Sequence, residues 1–517
     1  MAHLELRVYC GADSNFLAWW SNERVDGCLG YAAKVRVDGG QPQPLTAYVP
    51  FSTSSHIVAN ADGQPSTKWP FQRFTWSDFK RHNGHVEYQV VAMVGPASKP
   101  VESDLASDWV APEPPAFGDI IPYFNFGTVS SRWFAKQAAH YPEEFNALRK
   151  ALVPPGPGEE KPSADDALAK VLALPADGLG HGHPTIADSL GGALAPRIKK
   201  MLADAAADPH TEIYAALFEL SDSELIAGLA KIGERCHLIL ANGTHQHKSD
   251  ENAAAATALA GKVDLTRRML SQESFYAHNK FVVIARNGAP DWVWTGSTNW
   301  SPHGLYTQTN NGLELRDPAI AQAYYEEWHR LLKAGDKTPP PADPPAKEQY
   351  HFTGGGVTTS VFFSPHHVTA ATASQSPDLV YGNALIRGAE QGILSLMLDP
   401  GWTGSLLQTL RQTAAANANL YVRGVVNADP TVHAKADDAS TIGFLNGHEA
   451  IPSNYDIVLP GTQRESGEPI QDYLGRVGIV VVHSKIIVVD PLGPHPRRIV
   501  ERDLHLRRDL AALPASE

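Results

Sequence analysis

His278-Asn279-Lys280-Phe281-Val282-Val283-Ile284 and His483-Ser484-Lys485-Ile486-Ile487-Val488-Val489-Asp490 are two copies of one pattern: a histidine, a lysine two residues on, then an aliphatic run. In a strand, residues i and i+2 point to one face. His278 and Lys280 therefore share a face, and so do His483 and Lys485. The run after each pair predicts a buried strand of the parallel type, in which Val and Ile fill both faces. Each pair then opens a core strand. Gly296-Ser297-Thr298-Asn299 follows the first copy. Ser297 and Asn299 bear the same i, i+2 relation and lie far enough on to return on a neighbouring strand. One such histidine is an ordinary strand-edge residue, whereas two in register predict an active site built from two halves.

The surroundings of the pairs repeat as well. Residues 212–220 read as a strand, Ser221-Asp222-Ser223-Glu224 as a capping box opening a helix, and residues 236–241 as the next strand. In the second half, residues 393–398, 403–416 and 420–426 read as strand, helix and strand. Units of this length predict parallel pairs with right-handed crossovers. Asp317-Pro318 opens a helix with Ile320, Tyr324, Trp328 and Leu331 on one face, a stripe that predicts core packing. The expected fold class is α/β. Two lobes of mixed sheets flanked by helices, residues 116–337 and 347–517, are joined by the proline-rich linker 338–346 and packed face to face around a shared cleft.

Residues 1–115 read as a β-sandwich. Short β-rich runs at 4–8, 16–20, 31–37, 73–76 and 86–94 alternate with turn signals such as Asp38-Gly39-Gly40 and Asn83-Gly84. The pattern resembles a fibronectin type III domain, with Trp19 or Trp20 as a core aromatic and Tyr88 as a late-strand tyrosine. A targeting module and a packing appendage are equal expectations for it. Residues 111–117 form a Pro/Glu-rich linker, and the alternating Gly178, Gly180 and Gly182 read as a loop.

The chain has 517 residues and a net charge of −13, which disfavours general nucleic-acid binding but leaves room for a local basic patch. Cys10, Cys28 and Cys236 do not form a disulfide framework. Cys10 and Cys28 pair only if the first domain brings them together in an oxidising compartment. The first residues lack the basic and apolar regions of a signal peptide, and no stretch is long enough to span a membrane. The expectation is a soluble, cytoplasmic protein, or one exported without a cleavable signal.

The paired motifs resemble the phospholipase D superfamily over roughly residues 120–496. That family's pattern is His-x-Lys, four residues, Asp, then Gly-Ser-x-Asn, present twice. His278, Lys280, Gly296, Ser297 and Asn299 fit one copy, and His483, Lys485 and Asp490 fit the first part of the other. Three departures stand out. Ala285 occupies the Asp position of the first copy, where the resemblance implies a carboxylate supporting the lysine or histidine. The acidic residue that orients a family histidine falls within Thr309-Asn310-Asn311-Gly312-Leu313-Glu314, where Asn310 and Glu314 are both candidates. After Asp490 no Gly-Ser-x-Asn follows, and residues 497–508 are arginine-rich. A chain shortened or read out of frame after Pro496 and a natural surface helix are the two expectations for that tail.

Two histidines suit cleavage of a phosphodiester in two displacements. One imidazole, neutral, attacks phosphorus and forms a phosphohistidine. The other protonates the leaving oxygen and then acts as base on water. The lysines and Asn299 hold the nonbridging oxygens. The resemblance implies His278 as nucleophile and His483 as acid/base, with Lys280, Ser297, Asn299, Lys485 and Asp490 completing the catalytic set and no cofactor or metal. It also implies a substrate class, and acidic charge plus an accessory β domain favour a glycerophospholipid, hydrolysed at a membrane surface to phosphatidate and an alcohol. A nuclease is the alternative and needs a basic stripe at the cleft. A catalytically inactive binding protein is the third reading, because of Ala285 and the missing second Gly-Ser-x-Asn.

Overall fold

The computed structural model describes residues 3–10, 14–47, 63–78, 80, 82, 84–112, 119–127, 137–152, 164–176, 184–244, 249–270, 276–341, 349–354, 357–398, 405–427, 455–458, 481–491 and 497–500. The glycine-rich loop at 178–182, most of both linkers and the arginine-rich tail past Val500 lie outside these residues. One compact unit comprises Met1–Gly118, and a second begins at Asp119 and contains both histidine–lysine pairs.

In the first unit, strands Leu4–Cys10, Asn15–Ser21 and Thr75–Asp78 make one antiparallel sheet. Gly30–Val37, Val86–Val94, Val101–Ala106 and Gln43–Pro44 make another. Both contribute to a core that includes Leu4, Val8, Leu17, Trp19, Ala33, Tyr88 and Val90. Trp19 is the buried aromatic, while Trp20 is 37% exposed, as a period of two requires. The strand expected at 73–76 begins two residues later, and its last residue, Asp78, accepts a hydrogen bond from the Tyr88 hydroxyl at 2.9 Å. All three cysteines are free thiols.

Two of the second unit's sheets hold the motif strands. The first is built from β1 (Ile120–Phe124), β2 (Thr211–Leu217), β3 (Cys236–Leu240), β4 (Asp264–Arg267), β5 (Lys280–Arg286), β6 (Ala289–Gly296) and β7 (Asn311–Leu315), in the order β1-β7-β6-β5-β2-β3-β4. The other comprises β8 (Gly392–Met397), β9 (Tyr421–Val426), β10 (Tyr455–Val458), β11 (Ile486–Val489) and β12 (Arg497–Val500), in the order β10-β9-β8-β11-β12. The five strands β4-β3-β2-β5-β6 and β10-β9-β8-β11-β12 match in order and direction. Three parallel strands are followed by two antiparallel ones in each. The expected duplication and both parallel strand–helix–strand pairs are present.

One expectation is corrected. The motif strands β5 and β11 are antiparallel to both neighbours. An unbroken aliphatic run reports burial on two faces rather than strand direction. In β5, Val282 and Ile284 pack among helices Leu194–Ala207 (α1) and Ser223–Ile232 (α2), while Phe281 and Val283 meet Ile320, Tyr324 and Trp328 of Pro318–Ala334 (α4). A short helix, Ala253–Leu259 (α3), lies between β3 and β4. The cap of α2 is Asp222 rather than Ser221, its carboxylate accepting from the N–H groups of Glu224 and Leu225. Asp317 caps α4 in the same manner. Helix Leu406–Ala416 (α5) opens at Ser405, whose hydroxyl accepts from Gln408 N–H. Arg497–Val500 pairs with β11 despite its charge, taking the place beside β11 that β6 takes beside β5.

Candidate active site

Both lysines sit where a motif strand begins. Lys280 is the first residue of β5 and Lys485 immediately precedes β11. Lys280 is 5% exposed and Lys485 6%, so each charge lies in a largely dehydrated site. Lys280 Nζ donates to the His278 carbonyl at 3.3 Å and stands 5.1 Å from the centre of the Phe218 ring. Phe218 and Tyr276 both meet the His278 imidazole edge to face, which restricts the ring's rotation. In the second lobe, Lys485 Nζ donates to the His483 carbonyl at 3.0 Å and lies 3.3 Å from His483 Nε2.

The two lobes join beside His483. Thr309 N–H donates to the Val481 carbonyl and His483 N–H to the Thr309 carbonyl, a parallel bridge linking the first lobe to the second motif. The next residue, Asn310, is fully buried and presents its amide oxygen to His483 Nδ1 at 2.8 Å. Asn310 Nδ2 donates to the Gly304 carbonyl at 2.9 Å, which fixes the amide's orientation. An amide oxygen only accepts, so His483 carries its proton on Nδ1 and turns Nε2 toward the lysine. Of the two sequence candidates, Asn310 is the histidine's partner. Glu314 is fully buried between Arg197 and Arg316 instead.

Ser297 serves the same network. Its hydroxyl accepts from Asn311 N–H at 3.0 Å and donates to Asn310 Oδ1 at 2.8 Å. With both bonds made and 5% exposure, it orients Asn310. The preceding Gly296 has φ +149°, and a side chain there would strike the Asn311 carbonyl oxygen, which accounts for glycine at that position. Asn299 is 3% exposed and lies beside the carboxyl of Glu219.

Asp490 stands apart from this group, at the far end of β11. Its carboxylate accepts from the N–H groups of Glu390, Gln391 and Gly392 at 2.7–3.1 Å, holding the turn that leads into β8. Its expected place beside the catalytic lysine or histidine is thus corrected. Ala285, the matching residue, is buried in β5. The turn into β2 is held instead by Asp208, which accepts from His210 N–H at 3.0 Å and the Thr211 hydroxyl at 2.7 Å. These bonds keep the Asp208 carboxyl below the usual carboxylate range, the Thr211 hydroxyl contributing most. Ala285 therefore removes a turn anchor that the first lobe supplies from another residue.

Glu219, two residues past the end of β2, is a site residue that the motifs do not mark. Burial pushes its carboxyl above the ordinary range, while the neighbouring Lys280 ammonium and Ser301 hydroxyl pull it back. Ser301 Oγ donates to it at 3.2 Å. An acid inside the apolar run Leu217-Phe218-Glu219-Leu220 was the available signal. Asn125, also unmarked, accepts from Asn310 N–H at 2.6 Å and donates to the carbonyls of Gly304, Leu305 and Gln308. Among the described residues no group of three or more His, Cys, Asp or Glu is disposed to hold a metal ion. No described helix is long and apolar enough to cross a membrane.

Residues 201–332, within the first lobe, match the family model described as "Cardiolipin synthase, PLD-like domain". A search of curated proteins found no match. Among solved structures, the chain is similar to a polyphosphate kinase from Porphyromonas gingivalis at 12% identity and TM-score 0.36, over 58% of this chain and 42% of that one. It is similar to Nuc, a phospholipase D family member from Salmonella typhimurium, at 18% identity and TM-score 0.23, over 28% of this chain and 90% of that one. A phosphatidylserine synthase from Haemophilus influenzae Rd KW20 matches at 12% identity and TM-score 0.31, over 44% and 59%. At these scores the three structures carry no argument about chemistry.

Proposed function

We propose that this chain is a phosphodiesterase that hydrolyses glycerophospholipid to phosphatidate and an alcohol through a phosphohistidine. The observation that carries the reading is the hydrogen bond from His483 to Asn310, which anchors one motif's histidine on the segment that follows the other motif's Gly-Ser-Thr-Asn. His278 attacks phosphorus as the neutral imidazole, and the alkoxide leaves with a proton from His483 Nε2. Water then attacks the phosphohistidine, His483 takes its proton, and His278 is released. Lys280, Lys485 and Asn299 hold the nonbridging oxygens, where fixed donors in a dry site stabilise developing charge. His483 can give and take the proton at Nε2 because Asn310 keeps Nδ1–H in place throughout. The antiparallel sheets of the first unit support an accessory fibronectin type III-like module.

Release of the head-group alcohol and phosphatidate from phosphatidylcholine vesicles tests the reading. His278→Ala and His483→Ala are each expected to lower turnover by roughly a thousandfold or more. Turnover that survives both substitutions, or a wild-type chain that cleaves single-stranded DNA and no vesicle lipid, defeats it.

A further inference from the structure

We infer that Glu219 sets the charge of the anion cradle, so that Lys280 and Asn299 receive a singly charged phosphodiester in preference to a doubly charged phosphate. The inference rests on the phosphodiesterase reading above and deepens it.

The placement of Glu219 is rigid. The last pair between β2 and β5 joins Leu217 to Lys280, and Glu219 follows two residues on. Its carbonyl accepts from Trp300 N–H at 3.1 Å. On either side, the buried Asn252 donates to the Phe218 carbonyl at 2.6 Å and accepts from Leu220 N–H at 2.9 Å. The carboxyl is therefore held by backbone bonds at both flanks and by the Ser301 hydroxyl at its tip. The groups facing it are Lys280 from β5, Asn299 and Ser301 from the segment after β6, and Glu251 from the segment before α3.

Glu219 is half-buried, and partly withdrawing an acid from water opposes folding unless something else requires it, because charge is costly in a low-dielectric setting. An anion site gives a reason. Lys280 places a positive charge beside Glu219, and an ionised Glu219 offsets it. The lower net charge favours a phosphodiester monoanion over a phosphate dianion, because Coulomb repulsion from the carboxylate acts more strongly on the dianion. Without that carboxylate the preference moves toward the dianion.

Calorimetric binding to the full chain at pH 8 tests this, with dimethyl phosphate as the monoanion and inorganic phosphate as the dianion. The wild type is expected to favour dimethyl phosphate. Glu219→Gln, isosteric and uncharged, should shift the ratio of the two affinities toward inorganic phosphate by about tenfold or more. Glu219→Asp, which keeps the charge, should hold the ratio near that of the wild type. An unchanged ratio in Glu219→Gln overturns the inference, as does an equal shift in Glu219→Asp, which would mark a disturbance of structure rather than charge. A wild type that binds neither anion overturns the phosphodiesterase reading and the inference with it.

Discussion

An amide, not a carboxylate, meets Nδ1 of His483. Asn310 orients the ring but adds no charge to favour the imidazolium. Asn310→Ala leaves the histidine Nδ1–H and the Ser297 hydroxyl without their acceptor, a loss of roughly 1–3 kcal/mol for a buried polar group. Turnover is expected to fall by about 10²-fold as the ring loses its alignment. Asn310→Asp keeps an acceptor and adds a negative charge, so the alkaline limb of the pH–rate profile should move to higher pH. A profile that stays in place would show that His483 is not the titrating acid. Glu219 gives a second pH effect. Its carboxyl is raised by burial, so the folded chain holds that proton more tightly than the unfolded one. The folded state therefore loses stability as pH rises from the unfolded carboxylate value through the raised one. Glu219→Gln should raise the melting temperature at pH 7–8 and leave it nearly unchanged near pH 4, as thermal unfolding at both pH values would show. The two histidine–lysine pairs stand out in the sequence because their spacing repeats. Glu219 and Asn125 do not, since each acts through a contact far away in sequence, from Ser301 in one case and to Gly304 in the other.

At the scale of elements, the motif aspartate proves to be a device for starting a strand. Asp490 has φ +51°, a conformation open to Asp and Asn at modest cost, and satisfies three N–H groups at the entry to β8. Asp490→Ala is expected to destabilise the second lobe by about 2–4 kcal/mol. Asp490→Asn keeps the turn conformation and should cost less. Denaturant titration gives the ranking, and turnover per folded molecule should hold in both variants; a fall in turnover without a fall in stability would return Asp490 to the chemistry. The strands and helices were largely legible because periodicity records which faces are buried. Their directions were less so. β5 reads as a parallel strand from its composition, because α1, α2 and α4 cover both sheet faces, yet it lies antiparallel between β2 and β6. The arginine-rich stretch after Pro496 shows the opposite failure. Its composition hides a strand, since backbone pairing with β11 makes no demand on side-chain polarity at a sheet edge.

Across the whole molecule, the governing term is a net charge of −13. A chain of that charge is repelled by an anionic bilayer, and the repulsion weakens as salt shortens the screening length from roughly 30 Å at 0.01 M to about 10 Å at 0.1 M. If the substrate is vesicle lipid, turnover on vesicles containing an anionic phospholipid should rise over that salt range, while turnover on pure phosphatidylcholine should stay nearly level. A nucleic-acid substrate predicts the reverse sign, because lysine and arginine contacts to phosphates release counterions and weaken with salt. The comparison isolates long-range charge from the chemistry at Lys280 and Lys485, which are largely dehydrated and little screened. Turnover that falls steeply with salt on every substrate would mean that a local basic surface outweighs the net charge, and would move the assignment from lipid to nucleic acid.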